Sequence, residues 1–403
     1  MSRTTRPVRA AVSLVLALAL MLACFVMPAQ AATVTTKSGS DGYYNDLYRR
    51  YYYVNLTEKE KKAYRNIVAA LPDMPMRIEI PEELTEDELS HVMYAVSYDN
   101  PEFFMLSHMA NSGESGGKYY YIPIYLMTSS MYRQMKKTVD SKLAEIVKLA
   151  NLQLDTYGKI LVVHDYLADY ADYTYNGQMK YCVYGCLGLK QCNCEGYSRT
   201  NQLVLNALGI ENHLMIGDGF TYGTPEEYQE GPHMWNNVTC DGKDYNVDIT
   251  WDDITTSITI GLLRLPQGFS SEPSHIYFMR SSAAMKADHK AEAEALDGEK
   301  IWANCTDDTR NYYRTYGFYI TKWNKTAQAQ VYQMLTNVMN GGGTTFEVMF
   351  ATQEAYEAAY QTLVTDGGLS DKASEVNSGA LMWGCVGNEG QRVISAFLKY
   401  NLF

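Results

Sequence analysis

The first third of the chain carries a helical pattern of apolar positions. Thr57-Glu58-Lys59-Glu60 and Thr85-Glu86-Asp87-Glu88 each set a hydroxyl three residues before a glutamate, the signature of a capped helix start. Asp99-Asn100-Pro101 should break the second of these helices. Residues 111–118 read as a polar, glycine-rich loop, and 119–126 as an apolar strand. A long amphipathic helix is expected over about 130–152. Another follows over 157–170, with Ile160, Val163, Leu167 and Tyr170 at helical spacing. Beyond a cysteine-containing loop, the run 197–208 reads as a helix stopped by Gly209. Strands at 234–239 and 245–249 flank Asp241-Gly242, a strong hairpin signal.

From about Thr306 the pattern changes to strand, helix, strand and helix over 316–321, 327–339, 344–350 and 353–364. Gly341-Gly342-Gly343 reads as a turn, since no basic residue or capped helix follows to make a phosphate cradle. There is no internal repeat, and the tyrosines are spread through the whole chain. The class this predicts is α+β, with a mainly helical region over 32–150, a core over 151–295 and a small α+β domain over 300–403.

The apolar content of 46% and charged content of 20% are those of a globular chain, and 403 residues suffice for two or three domains. Residues 1–31 have the form of a secretory leader. Arg3, Arg6 and Arg9 precede an apolar run, and Ala29-Gln30-Ala31 offers a cleavage site. An uncleaved anchor and a lipid-modified Cys24 are the alternatives. No later segment is apolar enough to span a bilayer. Removing the leader would move the net charge from −12 to −15, which excludes nucleic acid and anionic lipid as natural partners. It would also leave seven cysteines, Cys182, Cys186, Cys192, Cys194, Cys240, Cys305 and Cys385. An odd number in an oxidising compartment flags a reactive thiol, and six could form three disulfides in fifteen pairings.

Chemistry concentrates in Cys194-Glu195-Gly196-Tyr197-Ser198, His233-Met234-Trp235-Asn236 and Asn246-Val247-Asp248. Cys194 stands where a loop becomes a helix, and the backbone N–H groups of a helix start suit a thiolate or an oxyanion. Gly196 allows close backbone approach. A two-residue turn at Asp241-Gly242 sets Cys240 opposite Lys243, Trp235 opposite Asp248 and His233 opposite Thr250. His233 and Asp248 are then diagonal neighbours on one face, about 7–8 Å apart at Cα. From there a carboxylate can fix the imidazole tautomer while the other ring nitrogen meets the thiol. The alternative for a lone secreted cysteine is a disulfide or a buried thiol. The acid across the hairpin favours the nucleophile.

These three blocks, with Val247-Asp248-Ile249-Thr250-Trp251-Asp252-Asp253, resemble the transglutaminase-like superfamily in its bacterial secreted form. His164-Asp165-Tyr166-Leu167, Tyr277-Phe278 and Asp288-His289 look like its flanking patterns. The likeness covers about 150–292, and Asp99-Asn100-Pro101-Glu102-Phe103-Phe104 extends it weakly. It implies a papain/transglutaminase-like core, Cys194 as nucleophile, His233 as general base then acid, and Asp248 as orienter. The implied chemistry is attack on an amide carbonyl to give a thioester, resolved by water or an amine, with no metal or organic cofactor. Ser198 departs from the family's frequent alanine, and Cys192 is unusual. No side-chain oxyanion donor is evident.

Cys182, Cys186, Cys192 and Cys194 lack the paired hooks of a zinc site, and no calcium loop is present. His164, Asp165, His275 and His289 read as structural support, and Trp235 and Trp251 as core aromatics. Four functions remain: hydrolysis of peptide or isopeptide bonds, amine transfer that crosslinks glutamine to lysine, cleavage of cell-wall peptide, and non-enzymatic surface binding. Peptide or protein, with cell-wall peptide as one class, is the expected partner.

Overall fold

The computed structural model describes residues 50–221, 229–254, 272–291, 305–377 and 379–400. The expected leader at 1–31, the lead at 32–42 and Cys24 lie outside these residues.

Helices α1 (Glu58–Ala70) and α2 (Glu86–Asp99) both open on complete capping boxes. Thr57 and Thr85 accept from the backbone N–H three residues on, while Glu60 and Glu88 accept from the cap. The break after α2 is itself a polar clamp. Asn100 Nδ2 donates to Val96 O at 2.7 Å and to the Tyr64 hydroxyl at 3.0 Å. The buried Asp99 carboxylate accepts the backbone N–H groups of Tyr52 and Tyr53 at 3.1 and 2.8 Å.

Strands β1 (Ile78–Ile80), β2 (Leu106–Ser115) and β3 (Lys118–Tyr125) form a small sheet in the order β1-β3-β2. Here the expectation of a loop over 111–118 is corrected, because most of that stretch is strand. Gly116 and Gly117, with φ of 63° and 73°, supply the positive angles of a tight hairpin turn. Much of β2 is exposed, so its sequence lacks the apolar alternation that marks a half-buried strand.

Two helices follow, α3 (Ser129–Ala150) and α4 (Thr156–Tyr170), the latter capped by Asp155 onto the Gly158 N–H. Short parallel strands β4 (Asp172–Tyr173) and β5 (Gln191–Cys192) then lead into α5 (Cys194–Ala207). The central sheet is antiparallel and comprises β6 (Asn212–Thr221), β7 (Gln229–Cys240), β8 (Lys243–Val247) and β9 (His289–Ala291), in the order β8-β7-β6-β9. Helix α5 packs on β6 and β7. Asp241 and Gly242 take positive φ, and Cys240 pairs with Lys243, the expected register.

The ladder stops sooner than expected, at Asn236↔Val247. Asp248 leaves the strand to cap the single-turn α6 (Ile249–Asp252), so Ile249 is helical and Thr250 does not face His233. One buried apolar cluster runs from Tyr52 to Met279 and joins the N-terminal helices to the central sheet.

A second four-stranded sheet comprises β10 (Tyr319–Ile320), β11 (Thr345–Phe350), β12 (Ala380–Asn388) and β13 (Val393–Tyr400), in the order β10-β11-β13-β12. Its helices are α7 (Lys325–Asn340), α8 (Gln353–Tyr360) and α9 (Gly368–Val376), and it has its own buried core. The strand expected over 316–321 shrinks to two residues, because Tyr312–Tyr316 makes a helical turn that Gly317 ends at φ 82°. No described helix is long and apolar enough to cross a membrane.

Candidate active site

Cys194 is the first residue of α5. Asn193 caps this helix through Oδ1, which accepts the Gly196 N–H at 3.2 Å. The Cys194 thiol is free and half-buried. A Cβ at Gly196 would come within 2.4 Å of Lys180 O and 2.5 Å of Cys192 Cβ, so only glycine lets the incoming loop lie this close.

Polar ties fix α5 on the sheet. Ser198 Oγ donates to Met234 O at 2.9 Å, Asn236 Nδ2 to Ser198 O at 3.0 Å, and Asn201 Nδ2 to Asn236 Oδ1 at 3.0 Å. The bond from Ser198 Oγ gives the serine at 198 a purpose that alanine lacks. From the other side, Arg199 donates to Glu195 and to both Ser97 O and Ser97 Oγ.

His233, on β7, is buried between aromatic rings. Its ring centroid lies 5.9 Å from that of Trp235 and 5.2 Å from that of Trp251. Its Nε2 is 2.7 Å from Asp248 Oδ2. Asp248 Oδ1 turns the other way and accepts the N–H groups of Thr250 and Trp251 at 2.9 and 3.4 Å, so the helix cap also orients the carboxylate. With Nε2 engaged by Asp248, Nδ1 is the ring nitrogen left for another partner, and Cys194 is close enough to raise the His233 pKa. Burial alone would pull the His233 pKa down. The Asp248 carboxylate, followed by Cys194, outweighs it and holds the imidazole near 10. The same pairing with His233, and with His289, holds Asp248 well below the usual carboxylate range despite its burial.

Asp248 has a second imidazole neighbour. His289 Nε2 stands 3.1 Å from the same Oδ2, and His289 Nδ1 is 2.7 Å from Asp288 Oδ1. Sequence reasoning treats His289 as support and overlooks this contact. Its signal was the Asp288-His289 pair, but the contact depends on β9 joining β6 across the sheet.

His164, Asp165 and His275 form a separate network. His164 Nδ1 is 2.9 Å from Asp165 Oδ1 and its Nε2 is 3.1 Å from Asp252 Oδ2, while His275 Nε2 reaches Asp165 at 2.9 Å. This network contacts α6 through Asp252. Among the described residues, the groups with metal-ligating geometry are this trio and His233-Asp248-His289. In each set the nitrogen–carboxylate contacts have ordinary hydrogen-bond distances. All seven cysteines from Cys182 onward are free thiols, and none belongs to either set. Burial, followed by the neighbouring Cys186, pushes the Cys192 thiol pKa up. A cavity of about 420 Å³ lined by Lys243, Asp244 and Asp307 lies at the turn end of the β7–β8 hairpin, away from His233.

No protein-family model and no curated protein matches the chain. Among solved structures it is similar to a TGase, at 16% identity over 44% of this chain and 51% of that one, with a TM-score of 0.24. It is also similar to a candidate cysteine protease from Cytophaga hutchinsonii, at 9% identity over 35% and 61%, with a TM-score of 0.24. A third is the periplasmic domain of TgpA from Pseudomonas aeruginosa, at 12% identity over 35% and 56%, with a TM-score of 0.24. The neighbours are of the transglutaminase-like and cysteine-protease kind. The match spans between half and about three-fifths of each of these chains.

Proposed function

We propose that this chain is a cysteine-dependent acyl-transfer enzyme, a peptidase or amidase that cleaves amide bonds of peptides or proteins outside the cytoplasm. The observation that carries this reading is the commitment of His233 Nε2 to the buried Asp248 at 2.7 Å, with the thiol at the head of α5 as the other partner of the ring. A merely buried histidine needs neither a helix-capping carboxylate nor a half-exposed thiol.

The Cys194 thiolate, its proton held by His233, attacks the amide carbon. The developing oxyanion is met by the backbone N–H groups of Cys194 and Glu195, which have no intrahelical partner in the first turn. As the tetrahedral species collapses, the C–N bond breaks, His233 gives its proton to the leaving amine, and a thioester remains on Cys194. His233 then takes a proton from water, whose oxygen attacks the thioester. The C–S bond breaks and the thiol is restored. Throughout, Asp248 keeps the ring in one tautomer and stabilises its cation.

The test is mass spectrometry of a diverse peptide mixture incubated with the protein under mild reductant and a tagged primary amine. New untagged termini that vanish in Cys194→Ala, and fall by about 10³–10⁴-fold in Asp248→Asn, are expected. Tagged glutamines would instead make the enzyme an amine transferase. Cleavage that survives Cys194→Ala would end the proposal.

A further inference from the structure

Beside Cys194, His233 and Asp248 lie two buried ionisable groups that the proposed reaction does not use, Asp288 and His289. Strand β6 brings them in. Gly217 pairs with His233 on one side, and Gly219 pairs with His289 on the other. Residues opposed in a ladder share a face, so both histidines lie on the face where β6 presents Gly217 and Gly219. The two imidazoles meet across that bare strip with ring centroids 5.3 Å apart. A Cβ at Gly219 would stand 2.8 Å from Trp251 Cζ2 and 3.3 Å from His233 Cβ.

His289 has a carboxylate at each nitrogen, Asp248 at 3.1 Å and Asp288 at 2.7 Å. Both nitrogens therefore donate, which makes the ring an imidazolium. Asp288 is itself held. The Tyr277 hydroxyl donates to it at 2.7 Å, and Gln391 Nε2 reaches both of its oxygens at 3.1 and 3.0 Å. Gln391 comes from the turn between β12 and β13, whose Asn388 also donates to the Tyr277 hydroxyl at 3.2 Å. The second sheet thus reaches the site by a chain of hydrogen bonds.

We propose that His289 is a positioning residue for the acyl-transfer site. As a cation on the same Asp248 oxygen that His233 uses, anchored by Asp288 and the β12–β13 turn, it aims that carboxylate at His233 and limits how strongly it stabilises the His233 imidazolium. This rests on the reading of Cys194 and His233 given above. Acids and bases alternate through the site: the Cys194 thiol, the His233 imidazole, the Asp248 carboxylate, the His289 imidazole and the Asp288 carboxylate. The other titratable and charged groups nearby include the Tyr277 hydroxyl, the Asp252 carboxylate that accepts the Tyr277 N–H, Tyr173 on the thiol side, and Glu195 beside the thiol, which is paired with Arg199 and His108. Arg280 approaches only through Gln391.

Removing a cation from this array makes every proton in it harder to lose. In the full chain, the pH profile of Cys194 alkylation by iodoacetamide, read site by site by mass spectrometry, should shift up by about one pH unit in His289→Gln. His289→Asn removes the same cation with a smaller side chain, should shift the profile the same way, and carries the test if His289→Gln does not fold. Slower alkylation with an unmoved profile in the folded variants would mean packing alone and would overturn the proposal. His233→Ala separates the two readings. If it leaves the wild-type profile unchanged, the acyl-transfer reading itself fails, whatever His289 does.

Discussion

At the residue scale, four of the five buried histidines among the described residues, His164, His233, His275 and His289, are held by carboxylates. His213, stacked on Tyr51 instead, has its pKa pulled down by burial. His164 is enclosed completely, with Asp165 at one nitrogen and Asp252 at the other. Burial would lower its pKa, but the two acids win and raise it from an ordinary value near 6.5 to about 9. A histidine whose folded pKa is raised stabilises the fold fully below the unfolded pKa and loses that contribution as pH rises through the folded one. The gap in Tm between wild type and His164→Gln should therefore be widest below about pH 6.5 and narrow as pH rises through about 9. A gap that stays constant across this window would mean that the charge of His164 contributes nothing. The candidate triad was legible at this scale because Cys194, His233 and Asp248 each sit in telling local context. Asp288, His289 and Gln391 were not, since their roles follow from strand pairings that join distant segments.

At the scale of elements, helix boundaries were the most legible features. Capping is local chemistry, so Thr57, Thr85 and Gly209 marked their helix ends correctly. The β7–β8 register was also readable, because a two-residue turn fixes it. What failed was anything set by tertiary contact. The exposed β2 has no apolar alternation, and Val247 ends β8 because Asp248 turns aside to cap α6. The start of α5 is the element most sensitive to change. Gly196→Ala would drive a methyl into the Lys180 carbonyl and Cys192, where backbone must give way. We expect a loss of about 1–3 kcal/mol in denaturant melts and slower Cys194 alkylation. Wild-type values for both would show that the loop yields without strain.

At the scale of the whole molecule, the second sheet meets the central one through buried polar groups. Glu347, on β11, accepts from Ser274 Oγ at 2.7 Å, the His275 N–H at 3.2 Å, the Tyr313 hydroxyl at 2.7 Å and Ser395 Oγ at 2.9 Å. Four donors aimed at one carboxylate leave no place for an amide nitrogen. Glu347→Gln should cost about 2–4 kcal/mol, read as a lower midpoint of urea unfolding, and an unchanged midpoint would rule out this junction as a source of stability. The α+β character was readable from the alternation of helical and strand patterns, whereas the junction was not. A glutamate inside a strand gives no sign in the sequence of which segment will supply its partners.

The bare strip of β6 has a consequence for how the chain can vary. Glycine has little preference for an extended backbone and contributes no side chain to hold one. Residues 217–219 therefore borrow their shape from β7 and β9, the strands that carry the two histidines. The face of β6 toward the histidines has no room for drift, because any added carbon meets Trp251, His233 or the Lys290 carbonyl. Asp218, between the two glycines, points to the opposite face. Along these three positions, tolerance to substitution should alternate from one residue to the next, with the middle one free to explore where its neighbours are not.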